Sequence, residues 1–463
     1  MQICKGLKEM ETEICEAMHA DLGRDMFWNY LAEVAFLETS AKHDARHLKE
    51  WMAQTKEEIE LALCPGAAYT KYEPLGVVAV FGSWNAPFVT TMKPVIQAIT
   101  AGNCCIVKPS EHSAKSSAVI KKFCDTYLDP EFIVVIEGGV DVAVAVNQLP
   151  LDLICFTGST QVGKLIAQTA AKNLTPCILE LGGKCPMIVD YNAEIEFTSS
   201  KAAFGKGFNS GQICIAPDYV FVHESKVKEF IEAVQFKFKQ MFGEKPEGSE
   251  YQGKMINDFH TDRVKNLIDG AGGTLVCGGK VVREARHIEP TIILQPDLNS
   301  QLMKEEIFGP VMPIFPFKDI GEVIKFINER EKPLAVYYFG NSTGQNSQDI
   351  CNQTSSGAYV CNEVITHINS NYMGFGGVGH SGTGRHGGYE GFKCFSNKKG
   401  ILLKNPAPKA ITNVLLPPIS PKVQKFLRGW LLTLTLNNMS KVMWYLKIFA
   451  VLVVAFIVKA LFF

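Results

Sequence analysis

From Leu75 onward the chain alternates between short apolar runs rich in β-branched residues and longer stretches with helical spacing. Five such runs are Gly76–Phe81, Cys104–Val107, Phe132–Ile136, Leu153–Phe156 and Cys177–Leu181. A strand covered on both faces reads as a continuous apolar run, and connections long enough to hold a helix favour parallel pairing. The pattern therefore predicts an α/β protein with helices on both faces of a parallel sheet. A second alternation runs from Lys184 to about Gly388. It includes Tyr219–Val222, a helix over Ser225–Phe242, and Val311–Phe315. The 463 residues are enough for two or three domains. The expected division is 1–183 and 184–388, each of Rossmann type.

Around these domains the signals change. Residues 1–55 predict two helices. Ile3, Leu7, Met10, Ile14 and Met18 share one face of the first; Trp28, Leu31, Val34, Leu37 and Trp51 mark the second. Pro65-Gly66 lies between extended runs over 57–74 and predicts a hairpin. Gly400–Lys404 predicts a late strand within 389–405. Pro406 to Pro421 reads as a linker, followed by an apolar stretch from Phe426 to Leu436, so that 406–441 joins the body to the tail. Val442–Phe463 is 22 residues long and nearly all apolar. As a helix rising ~1.5 Å per residue it reaches about 33 Å, enough for a ~30 Å hydrocarbon core. Lys447 and Lys459 lie near its ends, and Lys422, Lys425, Arg428 and Lys441 precede it, as a cytosolic flank would. A buried core helix or a hairpin in one leaflet has the same composition. The expectation is a C-terminal membrane helix that binds membrane lipid.

Composition narrows the function classes. The formal net charge is −1 and no basic stripe occurs, which sets nucleic acid aside. The fourteen cysteines form no C-x-x-C pair, as in a chain of reduced thiols. The ten histidines form no H-E-x-x-H cluster, so no metal site is expected.

Cys214 carries the chemistry. It lies in Phe208-Asn-Ser-Gly-Gln-Ile-Cys-Ile-Ala-Pro-Asp218, and Glu180 lies in Leu179-Glu-Leu-Gly-Gly-Lys184. A thiol and a carboxylate, each beside small residues that admit a substrate, fit covalent catalysis through a thioester. Packing as one small hydrophobe among many is the plain alternative for a cysteine. Gly158-Ser159-Thr-Gln-Val-Gly163-Lys164 nearly matches a phosphate loop, but Leu165 replaces the hydroxyl that magnesium requires. The segment follows a strand and opens a helix, where backbone N–H groups can hold a pyrophosphate. A purely structural turn fits the same residues. Gly377-Val-Gly-His-Ser-Gly382 matches G-x-G-x-x-G without a preceding apolar strand and reads as a loop.

Taken with Ser83-Trp-Asn-Ala-Pro-Phe88, Lys108-Pro-Ser-Glu111, Glu305-Glu-Ile-Phe-Gly-Pro310 and Phe375-Gly-Gly-Val-Gly379, these segments resemble the aldehyde dehydrogenase superfamily. The likeness is to its class 3 branch, which includes membrane-bound members acting on fatty aldehydes, and covers most of the chain. The resemblance implies two parallel-sheet domains, a small β bridging arm formed by the early hairpin and the late strand, and a homodimer. It implies NAD as cofactor, with NADP possible, and oxidation of aliphatic aldehydes to acids through a cysteine thiohemiacetal and thioester. Cys214 would be the nucleophile, Glu180 the base and Asn85 the oxyanion donor. Lys108 and Glu111 would meet the adenosine ribose, Gly158, Ser159 and Gly163 the dinucleotide, and Glu306 and Phe308 the nicotinamide ribose. The family has threonine where Ile213 stands. That departure leaves two alternatives in view, a non-catalytic tail-anchored NAD-binding protein and a cysteine-dependent ester hydrolase. The implied location is the cytosolic face of the endoplasmic reticulum.

Overall fold

The computed structural model describes residues 1–59, 63, 66–249, 251–405 and 416–430. They fall into two units. The larger holds Met1–Ala53 and Tyr72–Lys398; the smaller holds Gln54–Lys71 and the described residues from Lys399 onward.

The larger unit opens with helices, more broken than the sequence predicts. Gln2–Glu9 and Glu11–Leu22 replace the single expected helix, because Met10 leaves the helical region at φ −106° and ψ 12°. The predicted apolar face survives the break: Ile3, Leu7, Met10, Ile14 and Met18 are all buried. Gly23 then ends the second helix at φ 65°, the left-handed C-cap that glycine adopts most cheaply. After Met26–Asn29 comes a π-helical turn, Tyr30–Ala35, and then the helix Phe36–Trp51. The π turn rotates the face, so Leu31 is exposed while Glu33 and Val34 are buried.

The first sheet runs, in spatial order, Ile133–Val135, Cys104–Lys108, Val77–Phe81, Leu153–Gly158, Cys177–Leu181 and Gly382–Thr383. The first five are parallel. Counted along the chain, their spatial order is 3-2-1-4-5, the doubly wound order with its switch point between Val77–Phe81 and Leu153–Gly158. Alternation along the strands packs both faces. Val78, Val80, Cys105 and Val107 join the core of the helices Pro87–Thr100 and Ala114–Tyr127. Ala79, Phe81, Ile154 and Phe156 join Ile166 and Ala170 on the other side. The loop read over Gly377–Gly382 is a 3-10 turn whose last residue opens Gly382–Thr383, which pairs antiparallel with Leu179 and Glu180.

The second sheet is ordered Thr274–Cys277, Thr291–Leu294, Val311–Phe317, Tyr219–His223, Pro186–Val189, Ala335–Phe339 and Ala358–Cys361. Only the first pairing is antiparallel. Met187, Val220, Met312 and Ile314 meet Phe230, Val234 and Phe238 on one face; Ile188, Phe315 and Phe317 meet Val323, Ile324 and Ile327 on the other. Both faces again carry helices, as continuous apolar runs require.

In the smaller unit, Thr55–Glu57 pairs antiparallel with the strand Gly66–Pro74, Thr55 opposite Thr70. Ser396–Lys404 flanks the latter strand, and the helix Pro421–Trp430 starts with proline at its first position. The expected membrane helix 442–463 and most of 406–441 lie outside the described residues. Among those described, no helix is long and apolar enough to cross a membrane.

Candidate active site

The segment bearing Cys214 is fixed from both sides. The helix Ile195–Gly207 ends in a tight turn, Phe208–Gly211, with Asn209 and Ser210 at φ 52° and 51°. Gly211 follows at φ 69°, and a Cβ there would lie 2.4 Å from the Gly309 carbonyl oxygen. Gln212 is fully buried. Its Nε2 donates to the carbonyls of Asn209 and Lys254, both at 3.0 Å, and its Oε1 accepts from Ile256 N–H at 3.0 Å. Beyond the thiol, the Tyr337 hydroxyl donates to Ile215 O at 2.6 Å. The Cys185 thiol lies behind, 3.6 Å from Cys214 O. A half-buried thiol held on so rigid a backbone has little freedom in where its sulfur points.

Asn85 docks on this segment. It follows the strand Val77–Phe81, and its Nδ2 donates to Gln212 O at 3.0 Å, two residues before Cys214. Ser83 Oγ donates to its Oδ1 at 2.6 Å, and Asn209 Nδ2 donates to its backbone carbonyl at 2.9 Å. The Gln212 contact uses one of its two amide hydrogens and leaves the other for a ligand.

Glu180 is buried near the end of Cys177–Leu181, and neither carboxylate oxygen has a hydrogen-bond partner. Burial pushes its carboxyl well above the usual range; the charges of Arg385 and Lys93 oppose that only in part. Burial likewise pushes the Cys214 thiol up, and the carboxylates Glu306 and Glu180 that face it push the same way, while the N–H groups of Cys214 and Ile215 favour the thiolate. No positive charge is among the main influences on the thiol, so nothing offsets the upward push of burial and the two carboxylates beyond those N–H groups.

Of the expected dinucleotide residues, Lys108, Glu111, Gly158, Ser159 and Gly163 lie at or beyond the carboxyl ends of the two strands that flank Val77–Phe81, where open α/β sheets bind ligands. Lys108 closes its strand and pairs with Glu111 at 2.5 Å. Burial raises the Glu111 carboxyl, but the Lys108 hydrogen bond and charge outweigh it and hold it low. Ser159 caps the helix Thr160–Ala170, its side chain accepting from Val162 N–H, so the helix N-terminus lies at the switch point. Gly158 and Gly163 work differently from Ser159. A Cβ on Gly163 would lie 2.5 Å from Leu181 Cδ2, and one on Gly158 would lie 2.5 Å from the Phe156 ring. Gly163 lets helix and strand pack closely, whereas Gly158 leaves room for the Phe156 ring of its own strand. Val162 and Leu165 project from the same helix and are exposed. Glu306 lies against Gly182-Gly183: its Oε2 is 1.9 Å from where a Gly182 Cβ would stand, and it accepts from Gly183 N–H. Burial, then Asp218, raises its carboxyl to about 8. Phe308, at φ 45°, packs its ring edge-on to Trp84 at 5.2 Å. The structure thus gathers Asn85, Glu180, Cys214 and Glu306 at one place, with Phe308 beside Trp84.

Two groups of residues escaped the sequence reading. Lys184 pairs with Asp218 and donates to the carbonyls of Leu302 and Glu305 at 2.8 and 2.9 Å, and Asp218 accepts from Ile307 N–H at 2.9 Å. This buried tie binds together the segments of Glu180, Cys214 and Glu306. Its signal was present, since Lys184 and Asp218 are 34 positions apart, as are Glu180 and Cys214. The second group, Lys93 and His386, flanks Glu180 from distant parts of the chain, and no spacing relates them to it.

Two largely parallel sheets, with a thiol, a carboxylate and a helix N-terminus at a switch point, define an α/β protein equipped for covalent catalysis. The aldehyde dehydrogenase family model matches residues 1–401. A 4,4'-diaponeurosporen-aldehyde dehydrogenase of Staphylococcus aureus is 37% identical over 91% of each chain. The rat aldehyde dehydrogenase family 3 member A2 is 37% identical over 89% of this chain and 85% of its own; the rat dimeric NADP-preferring aldehyde dehydrogenase is 38% identical over 90% and 92%. The structure described as the substrate-bound state of Staphylococcus aureus AldH superposes with a TM-score of 0.88 at 36% identity, covering 93% of both chains. The chain belongs to the aldehyde dehydrogenase family and is an aldehyde-oxidising enzyme of that kind.

Proposed function

We propose that this protein oxidises long-chain aliphatic aldehydes to carboxylic acids, with Cys214 as nucleophile and NAD as the favoured cofactor. The observation that carries this reading is the half-buried Cys214, faced by Glu180 and Glu306, on a segment to which Asn85 is clamped. The residues fit a dinucleotide: Glu180 keeps two buried oxygens without partners, Glu306 fills the cradle above Gly182, and Ser159 opens a helix at the switch point. Bound there, a nicotinamide dinucleotide supplies the hydride acceptor that no side chain provides.

The chain's own residues do the rest. Cys214 sulfur attacks the aldehyde carbon as its thiol proton passes to the Glu180 carboxylate, which releases it before the water step. Asn85 Nδ2 and the Cys214 N–H donate to the oxyanion; losing one such donor costs ~2.7–4 kcal/mol of barrier. Once the thioester has formed, Glu180 takes a proton from water as its oxygen attacks, and sulfur leaves. Lys108 and Glu111 hold the adenosine ribose, where a carboxylate favours a free 2′-hydroxyl. Exposed Val162 and Leu165 offer apolar surface to the adenine. Half-buried Ile213, Phe204 and Ile365 pack against the same core as Cys214 and offer apolar surface suited to an alkyl chain, and an aromatic cavity of about 290 Å³, lined by Trp28, Phe204, Phe208, Met241, Phe242 and Tyr251, includes Phe204 of the helix Ile195–Gly207. The relative acting on a diaponeurosporene aldehyde supports a long apolar substrate. Membrane attachment through 442–463 and a homodimer bridged by the three-stranded arm complete the reading.

The test is NAD reduction at 340 nm with a sixteen-carbon aldehyde. Wild type gives a steady rise, and Cys214→Ser loses it by at least about a thousandfold, as for removal of a covalent nucleophile. Full activity in Cys214→Ser, or ester turnover without any aldehyde oxidation, overturns the reading.

A further inference from the structure

The turn that leads into Cys214 is strained. Asn209 and Ser210 stand at φ 52° and 51°, and Gly211 follows at φ 69°. Two successive residues with side chains in the left-handed region persist only where their neighbours over-determine them. Asn209 is tied to the carbonyls of Asn85 and Gln212, at 2.9 and 3.1 Å. Ser210 has a different anchor. Its N–H donates to Gln252 O at 2.9 Å, and its hydroxyl donates to Gly253 O at 3.2 Å.

The segment 252–256 is a bridge with two faces. Toward the nucleophile, Gln212 Nε2 donates to Lys254 O and Ile256 N–H donates to Gln212 Oε1, both at 3.0 Å. Toward the hairpin of Val281–Val282 and His287–Ile288, Met255 N–H donates to Arg286 O at 2.8 Å, and the Arg286 guanidinium donates to Ile256 O. Gln252 completes this second face. It is fully buried, and its Nε2 donates to Ile288 O at 2.7 Å. A carbonyl only accepts, so the amide oxygen is the atom turned to His287, and His287 Nε2, 2.8 Å away, is the donor. His287 is buried as well. Burial, the largest influence, outweighs Glu247 and the Pro246 carbonyl and, with Lys280, holds the ring below its ordinary value. The neutral ring therefore carries its one hydrogen on Nε2, aimed at Gln252.

We propose that His287 and Gln252 are positioning residues that set where the Cys214 sulfur stands, by locking the strained turn to the hairpin through Ser210. The inference rests on the function proposed above, in which Cys214 is the nucleophile. Each step of the path is a hydrogen bond: His287 to the Gln252 side chain, then the Gln252 carbonyl to Ser210, on the turn that opens into Cys214. Without the His287 donor, Gln252 Oε1 is a buried acceptor with no partner, and the amide turns to find one. The Gln252 backbone moves with it, Ser210 loses its anchor, and the turn relaxes out of the left-handed region. The sulfur leaves the line of attack, where a misplacement of ~1 Å is enough to lose a hundredfold in rate. It also leaves the Cys214 and Ile215 N–H groups that favour the thiolate.

Three variants test this. His287→Phe keeps a ring and removes the donor, His287→Gln returns an amide N–H near the place of Nε2, and Gln252→Leu removes both side-chain bonds. Each is followed by the rate of the first equivalent of NADH at 340 nm, by NAD affinity from tryptophan quenching, and by the rate at which iodoacetamide alkylates Cys214, read by mass spectrometry. His287→Phe and Gln252→Leu are expected to form NADH at least about tenfold more slowly and to be alkylated at Cys214 at least about threefold more slowly, with NAD affinity unchanged. His287→Gln should recover both rates. Wild-type rates in His287→Phe, a His287→Gln variant as slow as His287→Phe, or a loss of NAD affinity in step with the loss of rate overturns the lock. Wild-type protein that reduces no dinucleotide sinks the functional reading, and the alkylation rates then decide the lock by themselves.

Discussion

A buried carboxyl with no partner on either oxygen is costly to ionise, and Glu180 is in that position. In the folded chain it keeps its proton at pH values where an unfolded chain has lost it. The fold therefore gains from Glu180 below the ordinary glutamate range and gives that gain up as pH rises through the displaced value. Glu180→Gln removes the titration. Measured by urea unfolding from pH 5 to 8, wild type should lose stability relative to Glu180→Gln, by up to about 1.4 kcal/mol per pH unit. Parallel curves would show that Glu180 is ionised and satisfied in the fold. The same variant should lose acid production, because an amide cannot take the proton that water gives up in the proposed deacylation step. At this scale the sequence singled out Cys214, Glu180 and Asn85 because their motifs keep small residues around a reactive group, and the fold brings the three segments together. The sequence was a poor guide to Lys93 and His386, which reach Glu180 only through the packing of a helix and a loop from far along the chain.

Elements were legible where burial is two-sided. The five runs from Gly76 to Leu181 all became strands, and the order of their connections gave the parallel sheet. The helical entry was less legible, because Met10 and the π turn obey local geometry that apolar spacing does not encode. That turn has a use. It buries Glu33, which pairs with Arg24 and accepts from the N–H groups of Phe88 and Val89 at 2.8 and 3.1 Å. Glu33 thus caps the helix Pro87–Thr100, which begins two residues after Asn85. Glu33→Ala strands the Arg24 guanidinium, whose Nε already lacks a partner. It should cost about 3–5 kcal/mol, as for a broken buried pair. The double variant Glu33→Gln with Arg24→Met keeps the acceptor for the helix and removes the orphaned charge, so it should recover a large part of that loss. Chemical denaturation of wild type and the two variants checks this; a loss below about 0.5 kcal/mol in Glu33→Ala, the scale of an ordinary surface change, would rule the cap out.

At the scale of the whole molecule, the proposed chemistry and the proposed membrane attachment are separable on physical grounds. Cys214, Glu180, Asn85 and the switch-point residues all belong to the larger unit, which has its own cores on both faces of both sheets. None of those cores includes a residue beyond Phe395. Val442–Phe463, 22 residues long and apolar but for Lys447 and Lys459, lies outside the described residues. Left in water, a run of that length would expose apolar surface well above what a soluble chain tolerates; in a bilayer it matches the hydrocarbon thickness. Separability predicts that a chain ending at residue 440 keeps its folding midpoint and its kcat on a short, water-soluble aldehyde, and remains in the supernatant after alkaline carbonate extraction of membranes. The full chain should pellet with the membranes. Its advantage over the truncated chain should grow with aldehyde length when the substrate is presented in vesicles, because membrane attachment raises the local concentration of a lipid-dissolved substrate without touching the thiol. A truncated chain that still pellets would move the attachment to the body, and one that loses activity on the short aldehyde would make the tail part of the fold.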